Sequence, residues 1–461
     1  MEISHSGNWN QLPIVALNHV FSYLSWPDTI NASSTCKQWR YGLYHPHLWK
    51  SLSFSLTDFD ARKEKKAKYF IEAFGKIVQF VDISFNSLDE SSLSTADNLL
   101  CTLRENTQLK KLKLVPCHCV LYSMSSHSNS APLDATRMVY HIVTILKNTD
   151  KFEELSIGCL HDVAVFSNKF LKLISDHHSK SIRVLGLASL KTDPQEHCFN
   201  SLEFRYFENF TYLQIISLNY DYLNNDFLQV ICNCSMLKRI VVHVHNNLDG
   251  HPGTSEQAWI QLTKHCPNVK LRLNLIHAYD AVLDFHVVIL RRNMPLSHLR
   301  VFFCETLNLH ALSCLHVYHN TLKSLWWVDS PMYSDHYLLL NTARSFHVTR
   351  MNPFIFVAWR CTMLEELVLL GYKYYADDLR AISRLRGGAL KRIQVLRSEM
   401  TPWVDTGTRK GTALAIEKEL TCRMGRPWKS LKRRDVHPVI FSPDKYDSDE
   451  YLVPILCKDV E

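Results

Sequence analysis

One six-residue pattern, apolar-x-x-apolar-x-apolar, recurs through this chain and decides most of what it can fold into. It appears as VQFVDI from Val78, LKKLKL from Leu109, FEELSI from Phe152, IRVLGL from Ile182 and LQIISL from Leu213. It returns as LKRIVV from Leu237, LSHLRV from Leu296, LKSLWW from Leu322, LEELVL from Leu364 and LKRIQV from Leu390. An irregular eleventh copy lies in CPNVKLRLNL, where Val269, Leu271, Leu273 and Leu275 alternate as in a strand. With Val269 as its start, successive copies are 31, 43, 30, 31, 24, 32, 27, 26, 42 and 26 residues apart. A short strand of this kind buries one side, and the remaining residues of each interval suffice for a helix behind it. A single strand-helix unit cannot cover its own apolar surface, so the units must stack.

The intervals lie near or above the range of leucine-rich repeats, about 20 to 29 residues. Helical spacing of apolar residues is visible where the stacking model needs it, in DNLLCTLREN before Leu109, TRMVYHIVTILKN before Phe152, SNKFLKLISDHH before Ile182 and ADDLRAISRLRG before Leu390. A doubly wound α/β domain also alternates helix and strand and is the competing fold. The number of units, the fixed strand template and the lack of a glycine turn after a first strand favour the repeat array. The two long intervals mark insertions: Pro116–Asp134 is serine-rich and non-periodic and reads as an exposed loop, whereas Ser330–Cys361 is rich in aromatics and reads as ordered. Periodicity stops near Gly425, and SPDKYDSDEYLVP reads as an acidic tail with short anchors.

Composition removes several classes of chemistry. Only 13 glycines are present, about 3% of the chain against a usual share of about 7%. There is no G-x-G-x-x-G, no G-x-x-x-x-G-K-[ST], no G-x-S-x-G and no H-E-x-x-H. No catalytic, cofactor-binding or metal-binding residues are assigned. Cys117, His118, Cys119 and His127, and Cys232 and Cys234 near His243 and His245, place soft ligands close together but lack the paired spacing of a zinc site. A net charge of +7, with basic runs only at Ala61–Lys68 and Lys429–Arg434, is a weak footprint for nucleic acid. The start Met-Glu-Ile-Ser-His has no signal-peptide pattern, and no apolar run reaches the length of about 18 residues that a membrane helix needs. The expectation is a cytoplasmic and/or nuclear protein, not bound to membrane, with reduced and largely buried thiols.

Ahead of the repeats stands LPIVALNHVFSYLSWPDTINASSTCKQW, Leu12–Trp39. Pro13 suits the first turn of a helix, and Leu17, Val20, Phe21 and Leu24 follow at helical spacing. A break and a second helix start come at Pro27-Asp28, and a third helix carries Cys36, Trp39 and Leu43. Three short helices with this much apolar surface leave part of it uncovered, which predicts a partner. The segment resembles an F-box: Leu12-Pro13, Phe21-Ser22-Tyr23-Leu24, Cys36-Lys37-Gln38-Trp39 and Pro46-His47-Leu48-Trp49 match that family's pattern. It departs where the family has aspartate-leucine, since Thr29 and Ile30 follow Asp28, and where valine often precedes the cysteine but Thr35 stands. FVAWRCTMLEELVLLGY, LRAISRLRG and GRPWKSL resemble the carboxyl region of the F-box only protein 33 group.

The expected fold class is therefore α/β: a three-helix F-box at 8–52, a leucine-rich-repeat solenoid with a curved parallel sheet backed by helices at 70–422, and a tail at 423–461. The resemblance implies a non-catalytic subunit of a Skp1–cullin–F-box ubiquitin ligase, docking on Skp1 and through it on Cul1 and a RING protein, and holding a protein substrate for ubiquitylation. Leu12, Pro13, Leu17, Val20, Phe21 and Leu24 are the expected Skp1-facing set, internal packing being their other reading. In the strand template, positions three, five and seven face away from the helix-covered core. If neighbouring strands align, Arg300, Phe302, Trp326, Val368 and Leu370 form an apolar, charged substrate-binding patch, unless the tail or the aromatic insertion folds over it. A scaffold that binds Skp1 without promoting ubiquitylation, and a nucleic-acid-binding repeat protein, remain the alternatives.

Overall fold

The computed structural model describes residues 9–24, 26–58, 60–122, 135–195, 201–246, 250–330, 352–401 and 409–461. His127, most of the serine-rich loop and most of the aromatic insertion lie outside these residues; the end of that insertion, Pro353–Arg360, is a helix.

Three short helices open the chain: α1 (Ile14–Phe21), α2 (Trp26–Ser33) and α3 (Lys37–Leu43). Strand β1 (Ser51–Leu56) follows, then helix α4 (Ala61–Phe74) and strands β2 (Phe80–Phe85), β3 (Lys111–Pro116), β4 (Glu154–Ser156), β5 (Val184–Gly186) and β6 (Ile215–Asn219). The later strands are β7 (Arg239–Val244), β8 (Lys270–Ile276), β9 (Leu296–Phe302), β10 (Ser324–Val328), β11 (Glu366–Leu370), β12 (Tyr374–Tyr375), β13 (Arg392–Val395) and β14 (Met400–Thr401). β12 and β14 pair separately. The other twelve form one parallel sheet in which each strand lies beside its neighbours in sequence, from β1 to β11 and then β13. A doubly wound sheet reverses strand order at a switch point. This one runs in a single direction, as a solenoid does.

The helices line one face and the first, fourth and sixth positions of the template bury against them: Leu296, Leu299 and Val301 in β9, and Leu322, Leu325 and Trp327 at β10, belong to one continuous core. Polar residues cap the starts of several of these helices. Asp89, Asn224, Ser255 and Asn308 each accept a hydrogen bond from the first turn of the helix that follows.

The sheet begins earlier than expected at residue 70. Trp49, Leu52 and Phe54 already satisfy the repeat pattern, and β1 pairs with β2 from Ser51↔Phe80 to Leu56↔Phe85. Trp49 is buried, stacks on Phe74 of α4 with ring centroids 3.8 Å apart, and donates its indole N–H to the Leu43 carbonyl. One side chain thus joins the three-helix unit to the first repeat, which makes the two mechanically continuous. No helix among the described residues is long and apolar enough to cross a membrane.

At the other end, Trp428 donates to the Ile393 carbonyl at 2.9 Å and Leu431 bridges to Leu396. The chain then crosses to the face of the sheet that carries no repeat helices. There Val439, Ile440, Leu452, Val453 and Leu456 form a second apolar cluster with the sheet. The anchors expected in the acidic tail are these residues, carried largely by the helix Asp449–Leu456.

Candidate partner-binding surfaces

The six residues expected to face Skp1 divide between two environments. Leu17 and Phe21 are fully buried inside the three-helix unit; Leu12 is half-buried; Pro13, Val20 and Leu24 are exposed. Leu17 and Phe21, four residues apart, turn inward because α3 offers them Gly42, where a Cβ would stand 2.7 Å from Leu17 Cδ2. Trp39 meets Phe21 edge-to-face at 5.9 Å and donates its indole N–H to the Trp9 carbonyl at 3.1 Å, while Gln38 donates its amide to the Leu12 carbonyl at 2.7 Å. Cys36 caps α3 through its sulfur, which accepts from the Trp39 N–H. These contacts enclose Leu17 and Phe21. For Leu17 and Phe21 the structure correspondingly places the side chains in internal packing.

What remains outside is larger than the sequence pattern indicated. Val15 is 76% exposed and Tyr23 77%, and Ile14 and Val20 are each 43% exposed. Periodicity could not single out Ile14 or Val15, since IVALNHVF is apolar nearly all round and gives no clear inner face, and Tyr23 lies beyond the helix. With Pro13 and Leu24 they are apolar side chains left exposed on a short helical unit, and exposed apolar groups of this number mark interaction sites.

The second surface is the sheet face opposite the helices. Its strands align as expected: Arg272, His298, Ser324, Glu366 and Arg392 form one row across β8, β9, β10, β11 and β13, and Asn274, Arg300, Trp326, Val368 and Gln394 form the next. The expected exposed cluster is nevertheless covered. Arg300, Phe302, Trp326, Val368 and Leu370 are all buried, because the C-terminal helix lays Leu452, Val453 and Leu456 over them. Their alignment stands as the template requires; their exposure does not, for an apolar row this wide is more stable beneath a segment of the same chain.

Polar contacts fasten that segment. Asp459, fully buried, accepts from Arg272, from Arg300 at 2.9 Å and from Asn274 at 3.0 Å. Burial pushes its carboxyl up, but Arg300 and Arg272 outweigh that and hold it below the usual carboxylate range. Arg239 donates to the carbonyls of Asp459 and Glu461, and Lys113 pairs with the Glu461 side chain. Farther along the tail, His277 meets the Ser448 hydroxyl at 2.8 Å, Asp449 accepts from the Cys119 N–H at 2.7 Å and His118 bonds to Asp447 at 2.8 Å. His118, Asp447 and Asp449 could each offer one ligand atom, all within 4.8 Å of one another. The hydrogen bonds just named already occupy them. Cys232 donates instead to the Leu228 carbonyl, and His243 and His245 both face the Ser189 carbonyl at 3.3 Å, so the sequence neighbours Cys232, Cys234, His243 and His245 serve separate packing roles.

The His118–Asp447 bond has a pH signature. It raises the His118 ring above its ordinary value and lowers Asp447, against a burial effect that acts in the opposite sense on each. A raised histidine contributes stability that is complete below its unfolded value, about 6.5, and lost as pH rises through the folded one. The depressed aspartate contributes above its unfolded value, about 3.9, and loses that contribution as pH falls through the folded one. Wild type should therefore hold its tail more firmly than His118→Gln by roughly 1 kcal/mol near pH 5.5, and the difference should shrink toward pH 8. Limited proteolysis of the tail, compared between the two proteins at each pH, measures it. A difference that grows with pH would refute the assignment.

Between tail and sheet an opening of about 330 Å³ persists, lined in part by Arg272, Arg300, Trp326, Leu370, Arg392 and Lys458. Trp326 lies between two guanidinium groups, Arg300 at 4.7 Å and Arg392 at 4.5 Å from the ring centre. Its indole N–H and the Ser324 hydroxyl both donate to one oxygen of Glu366, at 3.2 and 2.7 Å. Three residues of the patch read from sequence, Arg300, Trp326 and Leu370, thus border this opening.

Comparison with known proteins agrees with these features. Residues 9–55 match the F-box-like family. The chain is 22% identical to F-box only protein 33 of Homo sapiens over 495 aligned residues, covering 94% of this chain and 85% of that protein. It is 21% identical to F-box/LRR-repeat protein 21 of Mus musculus, covering 63% of this chain and 64% of that protein. Among solved structures it resembles the Rad7 and Elc1 complex of yeast, at 16% identity and a TM-score of 0.42, over 86% of this chain and 90% of that one. At that score the structural likeness carries no argument. The chain has an F-box-like segment and is homologous to F-box only protein 33 and F-box/LRR-repeat protein 21.

Proposed function

We propose that this chain is the substrate-recognition subunit of a Skp1–cullin–F-box ubiquitin ligase. The N-terminal unit, residues 8–52, docks on Skp1, and through it the chain joins Cul1 and a RING protein. The repeats, with the tail from residue 423 laid across them, present a protein substrate. One observation carries this reading: Pro13, Ile14, Val15, Val20, Tyr23 and Leu24 stay exposed on a unit that buries Leu17 and Phe21 within itself, and that unit matches the F-box-like family. Skp1 is the partner that family match implies.

The chain performs no bond chemistry in this role. It raises the local concentration of a substrate lysine near a charged ubiquitin-conjugating enzyme, an effective-concentration effect that needs rigidity between docking unit and repeats. The Trp49–Phe74 stack supports that rigidity.

Deleting residues 1–52 is a poor test, since it would remove Trp49 and Leu52, one of the three buried residues of the first strand. The better test is affinity purification of the full chain from proteasome-inhibited cells, with wild type beside Val20→Asp/Leu24→Asp. The expected result is loss of Skp1 and Cul1 from the variant, with ubiquitylated proteins recovered on wild type alone. Recovery of Skp1 and Cul1 without any ubiquitylated partner would instead favour a scaffold that binds Skp1 and delivers nothing.

A further inference from the structure

We propose that the opening between the tail and the last repeats is a binding site for a phosphate-type oxyanion. Four cationic side chains converge on it: Arg272 from β8, Arg300 from β9, Arg392 from β13 and Lys458 from the tail. Their charges are incompletely answered. One carboxylate, Asp459, is shared by Arg272 and Arg300, and Arg300 keeps a buried Nε–H that has no acceptor among the described residues. Arg392 rests on the face of Trp326 and Lys458 extends from the tail, and neither guanidinium nor ammonium enters an ion pair among the described residues. Two further carboxylates border the opening, Glu366 opposite Arg392 in the strand register and Asp435, so four cations face three carboxylates and one positive charge is left over. Glu366 accepts from Ser324 and Trp326, and Asp435 accepts from the Lys432 N–H and faces Arg434 at 3.8 Å.

The geometry selects among anions. A carboxylate has two oxygens in a plane and one charge, and Asp459 already supplies that to Arg272 and Arg300. The remaining donors approach from separate strands and from the tail, which suits a tetrahedral group with three acceptor oxygens and a charge near −2. Arginine forks backed by an aromatic ring are well fitted to it. The volume of about 330 Å³, open on one side, admits such a group on the end of a side chain. The local field agrees: His298, in the same strand row as Arg272 and Arg392, is pushed down to about 3, first by burial and then by Arg272 and Arg300.

Two sources supply this chemistry: a phosphorylated serine or threonine of a captured protein, which rests on the receptor reading above, or a free phosphorylated small molecule, which does not. The test is calorimetric titration of the purified full chain with inorganic phosphate, in chloride buffer held at constant ionic strength. Saturable single-site binding is expected, weakened about tenfold or more in Arg392→Ala and in Lys458→Ala, whose melting temperatures stay near wild type. A pool of random phosphoserine peptides and the same pool after phosphatase treatment then separate the sources. Retention of the phosphorylated pool alone supports a partner-borne group, and phosphate binding without peptide retention supports a small molecule. Absence of saturable phosphate binding, or binding unaffected by both substitutions, overturns the site. Skp1 binding by the same samples decides the receptor reading separately, since Arg392 and Lys458 lie far along the sheet from the F-box-like unit.

Discussion

Asp459→Ala is expected to release the C-terminal helix from the sheet. The substitution leaves Arg272 and Arg300 buried without their shared carboxylate and deprives Asn274 of an acceptor. Breaking a buried ion pair from one side costs about 3–5 kcal/mol, and the chain can escape that cost by undocking the tail. Undocking uncovers Phe302, Trp326, Val368 and Leu370 and leaves the repeat core intact on the opposite face. The measurable outcome is cleavage of the tail by a nonspecific protease at least tenfold faster than in wild type, with binding of an apolar dye. Asp459→Asn should lie between the two, since it keeps an acceptor for Asn274 but no charge for the arginines. Wild-type protection in Asp459→Ala would show that the remaining apolar and polar contacts hold the tail and that the Asp459 ion cluster is incidental.

The residues explain which parts of this molecule were readable beforehand. The sheet was legible because a period-two strand inside a repeated unit fixes which side chains share a face, and neighbouring units then align by repetition. The row Arg300, Trp326, Val368 and Gln394 follows from the template alone. The first strand was readable too, in Trp49-x-x-Leu52-x-Phe54, but Trp49 also completes the Pro46–Trp49 motif of the helical unit, and one role concealed the other. Cover by the tail was one of the outcomes the sequence left open, but the pairing that makes the cover was not readable. Its contacts join residues such as His118 and Asp447, 329 positions apart, and no local periodicity encodes such a pairing. The covering helix is also disguised. Pro454 interrupts its hydrogen bonding and acidic residues surround it, although Leu452, Val453 and Leu456 carry an apolar side.

The N-terminal unit shows a different limit. Helical spacing correctly placed Leu17 and Phe21 on one stripe, yet the same spacing could not say whether that stripe met a partner or the two following helices. Gly42 decided it, by giving Leu17 and Phe21 room against α3. The docking surface is then what that packing leaves over, which moves the weight of the proposed interface from Leu17 and Phe21 to Pro13, Val15, Val20, Tyr23 and Leu24.

That shift makes the direct test simple, because exposed positions can be altered without disturbing the fold. Equilibrium binding of purified Skp1 to the full chain should be tight and saturable for wild type. Val20→Asp/Leu24→Asp should weaken it at least about 100-fold, which corresponds to about 2.7 kcal/mol, while the melting temperature of the repeat sheet stays within about 2 °C of wild type. Leu17→Ala is the contrasting control: it should lower the stability of the three-helix unit by about 2–5 kcal/mol through a core cavity. A wild-type chain that fails to bind Skp1, or a Val20→Asp/Leu24→Asp variant that binds as tightly as wild type, would contradict the account.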